Sequence, residues 1–503
     1  ELLPDNAEIQ SYISILSSYP SFHTLMAEGV LCIKNLSLFP VGRRKFLAMK
    51  WYPIYGEAIF KDREILPRYH GIFLAENPDY FADVHEHVEP LAIEISGQNG
   101  DIISGSGYGQ NTSDPDRFFH TSAFAYSGIL INGSGFDVNQ LSGDNPYPLY
   151  TFHYASPASG AAMATMSYQN ALVSRSVYFD TSGIFVVYDQ SIGDKNHVMT
   201  SHFNTPILPT YTENNGFLLR DKTSQHLILP LQIHTAPGLI GIYNNNYYYF
   251  EFQGQPSALT SQATIIIPDY FPSIHQYTRR DLNSRQTVME LVRADRFCFI
   301  RIGLNEGNVM SYPPSALETD ANFWIHAYSG KSIEEQLFLI GVQTIRWHSL
   351  ELEFTSPVQM IVARTPNGME CLFSCEDSTC SVTVIAPDNR SVFLNSYQIQ
   401  HNQPISINPG ENRLSVGLIQ SNLHTFDRKK RMPTNPLVGK PEFPQSSPPY
   451  SDWQTSRLQE YVLAQTLHAS TEALRYQSDR IFNDSLLLEQ GINSALGLLK
   501  NNY

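Results

Sequence analysis

The chain has 503 residues, 42% hydrophobic and only 16% charged, with 33 Lys+Arg against 48 Asp+Glu for a net charge of −15. This balance excludes an intrinsically disordered chain, which needs low hydrophobicity and high charge. It also argues against nucleic-acid binding, which needs clustered cations. No window of about 18 apolar residues free of charge occurs, so no membrane span is expected.

At roughly 100–200 residues per domain, the length predicts two to four domains. Aromatics at 12%, with Gly 30 and Pro 31, favour sheets punctuated by turns. Residues 1–50 read as terminal helices, with Ile9, Tyr12, Ile13 and Leu16 at helical spacing. From Trp51 the period shortens. GEAIFKD, HGIFLAE, LAIEISG, SGILING, SVYFDTSGIFVVYD, ATIIIPD and RFCFIRIG are short apolar or alternating runs between turn residues. The expected fold is mainly β: a large antiparallel β-sandwich over 51–280, a smaller β-domain over 281–420, and helices at both termini. The stretch 421–455 carries the basic run Arg428–Arg431 and then Pro433, Pro436, Pro441, Pro444, Pro448 and Pro449, which reads as an extended linker. Residues 456–503 read as amphipathic helices through Leu458, Tyr461, Val462, Leu467, Leu474, Ile481, Phe482 and Leu488.

The first residue is Glu1, so the chain is expected to be a processed product or a piece cut from a longer one. The compartment leans towards extracytoplasmic (secreted, periplasmic or lumenal). Cys371, Cys375 and Cys380 lack zinc-finger spacing; they read as one local disulfide plus a spare, or as free thiols, alongside Cys32 and Cys298. N-x-[ST] sequons stand at Asn35, Asn111, Asn132, Asn389 and Asn483.

The stretch Val84–Gly133 differs from ordinary core. In His85-Glu86-His87-Val88-Glu89, strand alternation puts His85, His87 and Glu89 on one face. Two imidazoles so placed suit either metal ligation or the binding of a substrate anion. The plainer alternative is a polar strand edge. Beyond them, Tyr108 sits in the Gly-rich run GSGYG, a turn able to present a side chain to a cleft.

In order, His85-Glu86-His87, LAIEIS, Gly100-Asp101-Ile102-Ile103-Ser104-Gly105-Ser106-Gly107-Tyr108, Arg117-Phe118-Phe119 and Ile129-Leu130-Ile131-Asn132-Gly133 resemble the β-sandwich part of heparinase II/III-like polysaccharide lyases. Upstream YGEAIFKDRE and downstream SVYFDTSGIFVVYDQSIG and NHVMTSHF extend the resemblance over roughly residues 50–210. It implies an (α/α) toroid before the sandwich, of which residues 1–50 would be the last helices. The rest of the toroid would lie on a partner chain or on an excised N-terminal part of the precursor.

The implied activity is β-elimination on a uronic-acid polysaccharide: a base takes the proton α to the carboxylate, an acid protonates the leaving oxygen, and nearby groups neutralise the carboxylate. By motif position His85, Tyr108 and His202 become the catalytic candidates, and Arg117, Arg175 and His120 the substrate-binding ones. Arg63 and Arg68 would add to a basic cleft. His87 falls on the first metal-ligand position, but the usual Asp and His positions are Ser104 and Tyr126, poor zinc ligands. No cofactor is therefore expected, with a divalent metal as the alternative. The competing reading is a non-catalytic glycan-binding or assembly protein retaining a degenerate lyase sandwich. A glycoside hydrolase would need two paired carboxylates, and none stands out.

Overall fold

A computed structural model describes residues 46–417, apart from 53–55, 64–66, 75–89, 106–121, 136–148, 213–214, 233–237, 245–246, 297, 308, 330–333, 366–367, 376, 378 and 386–390. The expected terminal helices and the 421–455 linker lie outside the described residues. Within them the chain is mainly β, in four antiparallel sheets. No helix there is long and apolar enough to cross a membrane.

An eight-stranded sheet forms the middle layer, running from the edge strand Pro209–Tyr211 to the edge strand Leu149–Ala155. Its central strands, Ser257–Ile267, Ile184–His197 and Ala171–Asp180, are buried on both faces along most of their length. This is why SVYFDTSGIFVVYD reads as a continuous apolar run rather than an alternating one. Val177, Phe179, Phe185 and Val187 face one core; Tyr178, Ile184, Val186 and Tyr188 face another.

Two smaller sheets cover the first face. One has five strands in chain order, from Met49–Tyr52 to Gly100–Ile103. The other has four, in the order Leu239–Asn244, Tyr247–Gln253, Met199–Thr205 and Ile129–Ile131. They meet where Ser104 N–H donates to Asn204 O at 3.1 Å and Ile93 N–H to Ser127 O at 3.1 Å. Phe203, Phe250 and Phe252 hang from the four-stranded sheet into the shared core and stack around Phe217 of the middle layer.

A 14-stranded sheet, residues 275–417, covers the second face. Tyr188 of the middle layer stacks on Phe323 at 4.3 Å between ring centroids, and Tyr178 and Phe152 on Phe338. The sequence boundary between 280 and 281 thus falls inside this sheet's first strand, His275–Asn283, and the sheet shares a core with the middle layer. Beyond that shared core the sheet encloses a core of its own around Trp324 and Trp347. Cys298, Cys371, Cys375 and Cys380 are buried free thiols.

One charged group holds three sheets in register. Arg175, on Ala171–Asp180, is 0% exposed, and its five N–H groups all donate. Nε and Nη2 reach the two carboxylate oxygens of Asp189 at 2.7 and 2.8 Å. Nη1 reaches Leu91 O at 2.9 Å and Ser127 O at 2.5 Å, and Nη2 reaches Gly128 O at 3.2 Å. Leu91 leads into the five-stranded sheet, whereas Ser127 and Gly128 lead into the four-stranded one. Asp189 also accepts from Ser201 Oγ, which in turn accepts from Gln262 Nε2.

Breaking such a pair leaves a buried charge uncompensated, at a cost of about 3–5 kcal/mol. Arg175→Met should therefore lower unfolding free energy by about that much in urea titrations, and Arg175→Met with Asp189→Leu should recover part of it. A single-mutant loss below about 1 kcal/mol, the scale of an exposed pair, would show that the node does not brace the sheets.

Candidate functional site

The four-stranded sheet has two unlike faces. Alternation in YYYFEFQ turns Phe250 and Phe252 to the core and puts Tyr247, Tyr249 and Glu251 on the opposite side. The neighbouring strand does the same with His202 and Asn204, paired across the ladder with Glu251 and Tyr249. The second face is thus polar and aromatic, beside a largely apolar interior.

His202 is its anchor, 0% exposed. Nε2 lies 3.0 Å from Phe124 O, and Nδ1 lies 2.8 Å from Glu251 Oε1. A backbone carbonyl only accepts, so Nε2 carries a proton and Nδ1 is the nitrogen that faces the carboxylate. Asn204 Nδ2 donates to the same Phe124 carbonyl at 2.9 Å, while its buried Oδ1 has no hydrogen-bond partner. The Tyr249 ring is 5.3 Å from the imidazole and lies over Gly241, where any Cβ would come within 1.9 Å of Tyr249 Cζ. Burial, then the charge of Glu251, pushes the Tyr249 hydroxyl up.

The five-stranded sheet supplies the other half. Glu94 stands on the outer side of Ala92–Gly97 and accepts from Gly105 N–H at 3.1 Å. Burial pushes its carboxyl up, the Gly105 bond offsets this in part, and Asp101 adds to the rise. Tyr247 Oη donates to Gly105 O at 2.8 Å, and burial pushes this hydroxyl up as well. Tyr126 packs against Gly105, where a Cβ would come within 2.7 Å of the ring.

Several residues singled out in the sequence meet here. Ser104, Tyr126 and His202 are brought onto this one side. Ser104 is buried beside Asn204, and Tyr126 belongs to a small apolar cluster with Ala92, Ala125 and Leu74. Arg175 is not at a surface: with all five donors spent inside the protein, it has none left for a substrate, which corrects its sequence assignment. Arg68 pairs with Asp62 at 3.1 Å. His85, His87, Tyr108, Arg117 and His120 lie outside the described residues. Among the described residues no three His, Cys, Asp or Glu side chains converge to hold a metal. Glu94, Asn204, Tyr247, Tyr249 and Glu251 were missed. The signal was the period-2 placement of Tyr247, Tyr249 and Glu251, opposite a strand 40 residues and more away.

A Ser–His–Glu line also occurs on the 14-stranded sheet. Ser315 Oγ lies 2.8 Å from His326 Nδ1, and His326 Nε2 lies 2.9 Å from Glu335 Oε1. Ser315 is only 2% exposed, its carbonyl accepting from Trp347 Nε1, so no substrate carbonyl reaches its hydroxyl. Against the upward push of burial, hydrogen bonds from His326 and Arg364 hold Glu335 down at about 2. The line is a brace between strands.

Neither a family model nor a curated protein matches the sequence. Similar solved structures include a heparinase III (TM-score 0.43, 13% identity, 58% of this chain and 47% of that one). A heparan sulfate lyase from Pedobacter heparinus gives 0.42, 13%, 57% and 47%. A chondroitin AC lyase from Streptomyces coelicolor A3, in complex with chondroitin sulphate, gives 0.35, 10%, 72% and 49%. The chain spans about half the length of these structures.

The raised pKa of Glu94 carries a stability consequence of definite sign. The folded state holds this proton more tightly than the unfolded chain, so the contribution is full below the ordinary carboxylate value and is lost as pH rises through the raised one. Glu94→Gln cannot ionise. Its stability should match the wild type near about pH 4 and exceed it increasingly towards about pH 8. A pH-independent offset in thermal or urea midpoints would contradict the assignment.

Proposed function

We propose that this chain carries the sandwich half of a polysaccharide lyase that cleaves a uronic-acid-containing polysaccharide by β-elimination, outside the cytoplasm. The observation that supports it best is the polar face around His202, together with where the chain enters and leaves it. Gly105 and Ser122, the described residues flanking 106–121, both belong to this neighbourhood: Gly105 bonds Glu94 and Tyr247, and Ser122 starts the turn carrying Phe124. Tyr108 is three residues beyond Gly105, a reach of at most about 11 Å.

In this reading Tyr108 is the acid or base at the reacting centre, and His85 neutralises the sugar carboxylate so that its α-proton becomes acidic. Arg117 and His120, in the same stretch, bind the anionic chain. His202 acts through Glu251 as a positioning residue, since both its nitrogens are engaged within the protein. Burial biases Glu94 towards its neutral form, so this carboxyl repels an acidic sugar less. Ser104 and Tyr126 stand where the resemblance puts metal ligands, and the proposed mechanism uses no metal. A toroid-bearing partner chain, or an N-terminal part of the precursor, would close the other side of the cleft.

The internal position of Arg175 and the packing of Tyr126 favour a second reading, a glycan-binding or assembly protein without turnover. One experiment separates them. Elimination creates a C4=C5 bond conjugated to the carboxylate, which absorbs in the near ultraviolet. With the toroid part supplied, uronate polysaccharides should give that absorbance; Tyr108→Phe should lower the rate by about 10²–10⁴, and His85→Ala should be comparably damaging. Added chelator should leave the rate unchanged. Retained polysaccharide binding without any ultraviolet-absorbing product from alginate or glycosaminoglycans would favour the second reading.

A further inference from the structure

The 14-stranded sheet divides at one point. Strand Leu350–Thr365 pairs through Gln359–Thr365 with Gly368–Cys375, and through Glu351–Phe354 with Ser381–Ile385. Between the two pairings lie Thr355, Ser356, Pro357 and Val358, including a proline that cannot donate to a ladder. Cys375 ends the first partner strand and Cys380 immediately precedes the second. Both side chains point into the same apolar core, at 0% and 1% exposure.

Asp377, between them in the chain, is hydrogen-bonded to both cysteines. Cys380 N–H donates to Asp377 O at 3.2 Å, and Cys375 Sγ–H donates to that same carbonyl at 3.4 Å. The Asp377 carboxylate accepts from Thr379 N–H and Oγ1, both at 2.8 Å, and from Ser356 Oγ at 2.9 Å, which ties the turn to the neighbouring strand. One carbonyl oxygen thus holds the Cys375 sulfur and the Cys380 backbone together, which keeps the two residues side by side at the edge of their common core. Cys371 is four residues from Cys375 along an extended strand, about 13 Å away, well beyond the roughly 7 Å that a disulfide spans between Cα atoms.

We infer that Cys375 and Cys380 are a thiol pair that closes to a disulfide in an oxidising compartment, stapling the sheet at the point where its two halves part, with Cys371 left as a free thiol. The step is an exchange: the two thiols give up two electrons and two protons, and a small disulfide such as oxidised glutathione takes them up as two thiols. Burial, then the neighbouring Cys380, pushes the Cys375 thiol up to about 12. The exchange is therefore slow, because the thiolate is the reacting form.

The test counts thiols on the full chain. Reduced protein is equilibrated with oxidised glutathione in sub-denaturing urea, which opens the turn; it is then denatured, alkylated, digested and mapped by mass. Three alkylatable thiols in place of the five cysteines of the chain are expected, with one linked peptide joining Cys375 to Cys380. Cys371→Ala should still lose two thiols, and Cys380→Ala none to an internal link. If Cys380→Ala does not fold, the wild-type peptide map decides by itself. Five thiols remaining, a link that includes Cys371, or only glutathione adducts on single cysteines would each overturn the inference.

Discussion

A guanidinium buried away from solvent must have every N–H matched, and in this protein that requirement fixes how the layers meet. Arg175 uses two donors on Asp189, within its own sheet, and three on carbonyls that lead into two other sheets. The buried apolar core, with the phenylalanines around Phe217 in it, attracts those layers to one another, each large buried side chain contributing on the order of 2–3 kcal/mol. Apolar contact alone is not directional, however. The five hydrogen bonds set the offset between sheets, and so where Gly128 and the following strand lie against His202, whose N–H donates to Gly128 O.

The polar face around His202 follows from that offset. Ser201 points inward to Asp189 while its neighbours His202 and Thr200 point outward, so one strand serves both the structural node and the candidate site. Phe124 O, bonded by both His202 and Asn204, carries the constraint on to the turn at the end of the 106–121 stretch. In this way the burial of one ion pair sets the geometry of the polar face around His202.

The mainly-β class was legible because pleated strands leave a local signature: SVYFDTSGIFVVYD announces a strand pair covered on both faces, and LAIEIS one covered on a single face. Arg175 was misread because a sequence shows that a cation is present, not whether carbonyls from 47 to 84 residues away surround it. Glu251 and Tyr249 escaped notice for a related reason. YYYFEFQ is an ordinary alternating strand by itself, and its meaning comes from the pairing with His202 and Asn204, which is a matter of register. The local sequence around His202 held no sign that both its nitrogens would be engaged within the protein. The boundary between 280 and 281 was read from a further stretch of short, even strands, whereas the cores follow which sheet covers which.

The central claim, that the face around His202 is where a glycan binds, is open to one direct measurement: hydrogen–deuterium exchange of the full chain with and without a uronate oligosaccharide. Slowed exchange is expected in 92–105, 122–131, 199–205 and 247–253, with little change elsewhere in the described sheets. Protection confined to the 14-stranded sheet, or no difference at saturating oligosaccharide, would contradict it.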